Sequence, residues 1–481
     1  MQYLYVKPKR NKSLWIITAL ITISFIAILF FPELKLPILQ DIRLFFSQFD
    51  KDPLAVPGLA IQPTDTEKVH GLLSVHQWDT KNGVPVYFVP TENLPIVDIK
   101  ISFDAGSARD GTKPGLSTLM ASMLLEGTES LSEDAFLEQL EGLGVQYHVE
   151  ANRDNLIIEL RSLTNPNLLN PAIELISALL TRPALTQGAF ERVKRQHIVN
   201  YQEILELPRK VAEKKFYETV YANHPYGHLT LGTEAGLESI ELQDVKDFKK
   251  QYLHAQNALL VISGGIHRDR VKDIANKLVT HLPGGNKPEP IIFVPSKEAQ
   301  IINIPLKTTQ SHIWIGEPVL RENDPDYYPL LVGNHIFGKG QFTSRLFKEV
   351  RAKKGLAYSV KSHLKRLKVG GPFVITLQTE QKQTQLALNI VQDLLSNFGK
   401  EGPQPEELEL AKQNLIKHFP LSINTNKKIN DKLFNYAFYH LPMASFNEHT
   451  AKIQQVTKEQ IQEVWKRRIN LHHMQTVIVG E

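Results

Sequence analysis

Two stretches decide the fold of this chain: Leu237–Gly265, "LESIELQDVKDFKKQYLHAQNALLVISGG", and Ala451–Glu481, "AKIQQVTKEQIQEVWKRRINLHHMQTVIVGE". At a constant offset of 216 residues, Ile240 falls on Val456, Val245 on Ile461, Phe248 on Val464, Val261 on Val477 and Gly264 on Gly480. Each stretch reads as an amphipathic helix, a turn and a short strand. Upstream, "AIELISALL" (172–180) and "LNIVQDLL" (388–395) match at nearly the same offset, each followed by a proline-containing loop and a charged helix. Further up, "GVQY" (144–147) and "GLAY" (355–358) match at 211. Several such matches, in one order and with small drift, mark a duplicated domain.

Each copy runs strand, helix, two strands, two or more helices, strand, without the regular alternation of a parallel sheet. The pattern predicts an α+β fold of two duplicated domains, each an antiparallel sheet covered by helices on one face. The folded part opens near "HQWDTKNGVPVYFVP" (76–90), where alternation around Asn82-Gly83 signals a hairpin. A Pro/Gly-rich break, "HLPGGNKPEP", occupies 281–290. The expected domains are therefore 71–280 and 291–481, joined by a linker at 281–290.

The head is different in kind. Residues 1–13 are basic, and Leu14–Phe31, "LWIITALITISFIAILFF", is an uncharged run of 18 residues, close to the shortest that spans a bilayer. Positive charge is concentrated before the run, in Lys7, Lys9, Arg10 and Lys12, so the positive-inside rule keeps the N-terminus cytoplasmic and exports the rest. A cleaved signal peptide competes with this reading, but the run is long for one and lacks a small-residue cleavage site. Residues 32–70, with Pro32, Pro37, Pro53, Pro57 and Pro63, read as a tether. The formal charge of +4 equals the contribution of Lys7, Lys9, Arg10 and Lys12, so the remainder is neutral. With no basic surplus and no matching motif, nucleic-acid binding is set aside. The chain has no cysteine, which removes disulfides, thiolate metal sites and cysteine nucleophiles.

The run "SFDAGSARDGTKPGLSTLMASMLLEGTESLS" (102–132), "HPYG" (224–227), "SRLFKEVRAKKGLAYSV" (344–360) and the duplication together resemble the pitrilysin (insulinase-like) family of zinc peptidases. The likeness covers roughly residues 75–481. Active members carry an inverted zinc motif, His-x-x-Glu-His, on the helix matching Gly115–Thr128. Placed residue by residue, its positions fall on Thr118, Ala121 and Ser122. Hydroxyls are poor zinc ligands and an alanine methyl takes no proton, so the motif is degenerate. The family's third ligand, a glutamate, has Glu203 as its nearest candidate. On this resemblance the chain binds no metal and needs no cofactor of its own.

The resemblance also implies that an arginine and a tyrosine of the second half contact substrate beside the zinc; here they fall on Arg351 and Tyr358. Ser344 can cap a helix running to about Lys354, and Gly355 can end it before a strand. A guanidinium and a phenol suit a peptide carbonyl and the oxyanion that develops from it. Without the resemblance, Arg351 would merely complement a helix C-terminus and Tyr358 fill a strand position. Other candidates are weak. His224 and His228 are four apart, but Pro225 and Gly227 spoil a helix there; His472 and His473 point to opposite sides if they lie in a strand.

Some bacterial members divide the work between a zinc-bearing chain and one that keeps only the arginine and tyrosine. This sequence resembles the second kind. The expectation is a subunit inactive alone, anchored in the bacterial inner membrane by a single pass with its bulk in the periplasm. It would pair with a homologous zinc-bearing peptidase, with zinc held by that partner and peptides as substrate. A non-enzymatic peptide binder or scaffold of the same fold is the alternative.

Overall fold

The computed structural model describes residues 73–92 and 94–480. The basic head 1–13, the apolar run 14–31 and the tether 32–70 lie outside them. Among the described residues no helix is long and apolar enough to cross a membrane. That finding overturns the expected single-pass, inner-membrane localisation with a periplasmic bulk.

The predicted hairpin is present: β1 (His76–Asp79) and β2 (Pro85–Pro90) pair antiparallel, His76 opposite Phe88 and Asp79 opposite Pro85. Gly83, at φ 81°, supplies the left-handed residue that the turn needs. With β3 (Ile96–Phe103), β4 (Gln146–Ala151), β5 (Leu156–Leu163) and β6 (Ala258–Gly264) they form a six-stranded sheet, in the order β1-β2-β6-β3-β5-β4. The second sheet takes β7 (Ile301–Ile304), β8 (Gln310–Leu320), β9 (Ser359–Leu364), β10 (Gly371–Glu380) and β11 (Gln475–Val479), in the order β7-β11-β8-β10-β9.

Without β1, the two sheets trace one path. The repeat is also in register: Val261 pairs with Tyr87 and Lys100, and Val477, at the offset read from sequence, pairs with Ile302 and Trp314. The sheets are not wholly antiparallel, however. β6 fills the gap between β2 and β3, which run in opposite directions, so it must lie parallel to one of them; it is parallel to β2. β11 is parallel to β7 for the same reason.

Helices cover both faces of each sheet, not one. In the first half, Ile99, Ile101, Ile158 and Leu160 face helices that include Leu116–Met123, Pro166–Thr181 and Arg268–Val279. In the second, Ile313, Ile315, Phe373 and Ile375 face Tyr327–Asn334, Thr384–Glu401 and Lys458–Arg468, whose Trp465 is fully buried. The opposite faces are covered by exchange. The helix Pro208–Tyr221 of the first half packs Phe216, Tyr217 and Val220 on Trp314, Val374 and Val477 of the second sheet. The helix Asn426–Phe438 of the second half packs Ile429, Leu433 and Phe434 on Val89, Ile157 and Val261 of the first. Asp154 ties the halves further. Fully buried, it accepts from the hydroxyl of Tyr226, from that of Tyr439 at 3.0 Å and from the backbone N–H of Lys368 at 3.0 Å.

Candidate functional site

The helix Leu116–Met123 starts where only glycine fits. Gly115 has φ 109°, and a Cβ there would lie 2.7 Å from Leu237 Cδ2 and 2.9 Å from the Leu231 carbonyl. The Asp110 carboxylate accepts from the N–H of Gly115 at 2.6 Å and of Ser117 at 2.7 Å, satisfying donors that the first turn leaves free. Leu119, Met120 and Met123 are wholly buried and fix the helix in the core.

The three motif positions lie on this helix and are internally committed. Thr118 Oγ1 donates to the Thr230 carbonyl at 2.6 Å. Ser122 Oγ meets His197 Nε2 at 2.8 Å, and Ala121 is buried. Among the described residues the one imidazole in contact with these positions is that of His197, where a zinc ion needs three or four imidazoles, thiolates or carboxylates. The residues do not fit the ion. Among the described residues no group of three or more histidines or carboxylates is arranged to hold a metal.

His197 is the residue that sequence reasoning missed. It belongs to the helix Gln187–Leu205, on a buried stripe with Phe190, Val193 and Tyr201. A histidine on an apolar helical stripe was the available signal. Burial pushes its imidazole down to about 4, so the ring is neutral, and its Nδ1 has no hydrogen-bond partner. Glu203, two residues beyond Tyr201, is turned about 200° away from that stripe and is exposed. The structure does not bring it to Thr118 and Ser122.

The remaining histidines make local contacts. His224 accepts from the N–H of Tyr226 and bonds the Ile292 carbonyl, while His228 bonds the Leu229 carbonyl. His472 and His473 sit in the turn before β11, and His473 lies 3.8 Å from Glu317.

Arg351 and Tyr358 sit at the open end of β9. Ser344 Oγ accepts from the Phe347 N–H at 3.4 Å, as a cap should, but the helix Phe347–Lys353 is wound as a π-helix. It ends at Gly355, φ 64°, which matches Gly144, φ 66°, in the first half. The Tyr358 N–H then donates to the Gln378 carbonyl as the chain enters β9. Tyr358 is 54% exposed, and Arg351, also exposed, lies over the Phe347 ring at 5.3 Å. Among the described residues neither side chain has an ion-pair or hydrogen-bond partner. No such bond joins them to each other or to the helix Leu116–Met123.

A cleft of about 630 Å³ opens between β3–β5 and the helix Asn426–Phe438. In it Lys100 bridges Glu159 at 2.9 Å and Asp431 at 2.6 Å, and Lys427 holds Glu159 at 2.6 Å. Among the described residues the strand β4 on its border pairs only with β5, leaving one edge of its backbone without a neighbouring strand.

Comparisons with known proteins agree with this geometry. Residues 87–234 match the insulinase family (peptidase family M16), and residues 239–415 match the peptidase M16 inactive domain. The crystal structure of a peptidase M16 inactive domain from Pseudomonas fluorescens is 31% identical, with a TM-score of 0.82 over 85% of this chain and 98% of that one. The non-peptidase homologue YmxG of Helicobacter pylori is 27% identical over 408 residues, 84% of this chain and 94% of that protein. An uncharacterised zinc protease, YmxG of Bacillus subtilis, is 23% identical over 360 residues, 74% of this chain and 86% of that protein. The chain belongs to the insulinase family of peptidases, M16, as a homologue of its inactive type.

Proposed function

We propose that this chain is the non-zinc-binding subunit of a two-chain peptidase, supplying Arg351 and Tyr358 to position a peptide that a homologous, zinc-bearing partner cuts. One contrast carries the reading. Thr118, Ala121 and Ser122 are closed off by Thr230, His197 and the core, while Arg351 and Tyr358 are exposed and, among the described residues, have no ion-pair or hydrogen-bond partner. A guanidinium and a phenol held at one end of an edge strand are donors suited to a peptide carbonyl and to its developing oxyanion. The unpaired edge of β4 supports the peptide part of the reading, since an extended chain can add to it through backbone hydrogen bonds.

The test is reconstitution with a co-encoded homologue that carries His-x-x-Glu-His. The mixture should hydrolyse unfolded peptides and contain one zinc per pair, and the chain alone should hydrolyse nothing. Arg351→Ala should slow turnover about 100-fold and Tyr358→Phe about 10-fold, as for lost transition-state donors, with the zinc content unchanged. Equal rates for variant and parent would remove the assigned roles. The second reading, a peptide-binding scaffold with no catalytic partner, is favoured by the description of the Helicobacter pylori relative as a non-peptidase. It predicts peptide binding that no added homologue converts to hydrolysis.

A further inference from the structure

A second cleft, of about 850 Å³, lies in the C-terminal half between the helices Pro405–His418, Asn426–Phe438 and Ala444–Gln455 and the end of β9. Its size is that of a small-molecule site. Three cations line it, and among the described residues none has a carboxylate partner. Arg366 lies over the Tyr327 ring at 4.3 Å. Lys428 donates to the Leu421 carbonyl at 2.8 Å and to Asn424 Oδ1 at 3.0 Å. Lys432 has neither hydrogen bond nor ion pair, only the face of Phe419 at 3.6 Å.

The other charged or titratable neighbours do not neutralise them. Asp431 is the acidic residue on the lining, and its carboxylate is already held by Lys100 at 2.6 Å. His418 also faces the cleft, and His449, pushed down to about 3 by burial and by Lys432 and Arg366, adds no counter-charge. Burial, with Arg366 nearby, pushes Lys432 itself down to about 7. Apart from Ser422, Asn424 and Asn435, the rest of the wall is leucine and aromatic, with Leu331, Leu364 and Leu415 beside the rings. Unpaired cations kept beside apolar walls are costly unless an anion completes them.

We propose that this cleft binds a carboxylate carried on an apolar chain, with Lys432 and Arg366 taking the anion and the leucines taking the chain. A planar carboxylate suits the fork of a guanidinium, and an ammonium released from a π-face gains a charge-assisted hydrogen bond. Two sources present this chemistry: the C-terminal carboxylate of an apolar peptide, or a fatty acid. Neither requires the catalytic partner, so the site stands or falls apart from the function proposed above.

The test is titration calorimetry on the purified chain at neutral pH and low salt. The probes are dodecanoate, an N-acetylated apolar pentapeptide with a free C-terminus, the same peptide as its amide, and inorganic phosphate. At least one carboxylate probe should saturate at one site, while the amide and phosphate bind at least about tenfold more weakly, the worth of one charge-assisted hydrogen bond. Saturation by dodecanoate alone assigns a lipid source, and by the peptide alone a peptide C-terminus; both uphold the site. Lys432→Met and Arg366→Met should each weaken binding by about tenfold. The melting temperature of ligand-free Lys432→Met should be unchanged or raised, because an unpaired cation has been removed. The proposal is overturned if no carboxylate saturates, if the amide or phosphate binds as well, or if Lys432→Met binds like the parent.

Discussion

The helices Pro208–Tyr221 and Asn426–Phe438 do the same job on opposite sheets and do it differently. The first seals its contact with aromatic rings: Phe216 lies 5.5 Å from Trp314 and 5.6 Å from Tyr217, and Tyr217 stacks on Tyr221 at 5.8 Å. Under the second, the strand position equivalent to Trp314 is Lys100, tied to Glu159 and Asp431, and a polar cleft remains beside the apolar packing of Ile429, Leu433 and Phe434. One architecture therefore yields a dry joint or a polar cavity according to which residue occupies a single register position. The candidate sites repeat the contrast, with the helix Leu116–Met123 closed by Ser122 and His197 and the β9 end left open at Arg351 and Tyr358.

If the dry joint is where the stability resides, Trp314→Ala should be the most damaging change at either contact, costing about 3–5 kcal/mol in equilibrium urea denaturation. A loss below about 1 kcal/mol would show that the aromatic seal is not what holds the halves. Next comes the closed helix. His197 titrates near 6.5 when unfolded and about 4 when folded, so the unfolded state binds the proton more readily between those values. Stability is therefore complete above pH 6.5 and falls by up to about 3 kcal/mol as pH drops to 4. His363 and His449 shift in the same direction, so the quantity to measure is the difference between the parent and His197→Gln, whose stability–pH curve should be flatter.

The polar contact should be more forgiving. Lys100→Met should cost about 1 kcal/mol, since Lys427 still holds Glu159 and Asp431 is partly exposed to water. A cost as large as that of Trp314→Ala would erase the distinction between the contacts. Smallest of all, Arg351→Ala should leave stability within about 0.5 kcal/mol of the parent, as expected of an exposed side chain without an ionic partner. Thermal melts of the two proteins should overlay.

Much of the fold is legible in the chain because repeats and hairpins are local patterns. The equivalence of Val261 and Val477, and the turn at Asn82-Gly83, need only spacing and composition to be found. The helix exchange is not legible in that way. Periodicity marks the apolar face of Pro208–Tyr221 but carries no word on which sheet the face covers, and the choice is made by long-range packing. The parallel pairs β2–β6 and β7–β11 escaped for a related reason, since a strand inserted late between two earlier ones leaves no local trace of its direction. At the site, Thr118, Ala121 and Ser122 could be singled out by motif alone, and the structure shows that they share one helix. The closure by His197 could not be found by motif, because it depends on how two helices meet that bring together residues 75 apart in sequence.

The exchanged helices make each half the keeper of the other's hidden surface. A protease that nicks the exposed stretch around Lys287 would sever the chain without parting it, and the two fragments would travel together through gel filtration. Either half produced by itself would carry a bare hydrophobic face, Trp314, Val374 and Val477 in one, Val89, Ile157 and Val261 in the other, and would clump rather than fold into a soluble piece. The repeat that first gave away the ancestry of this molecule thus no longer describes separable parts.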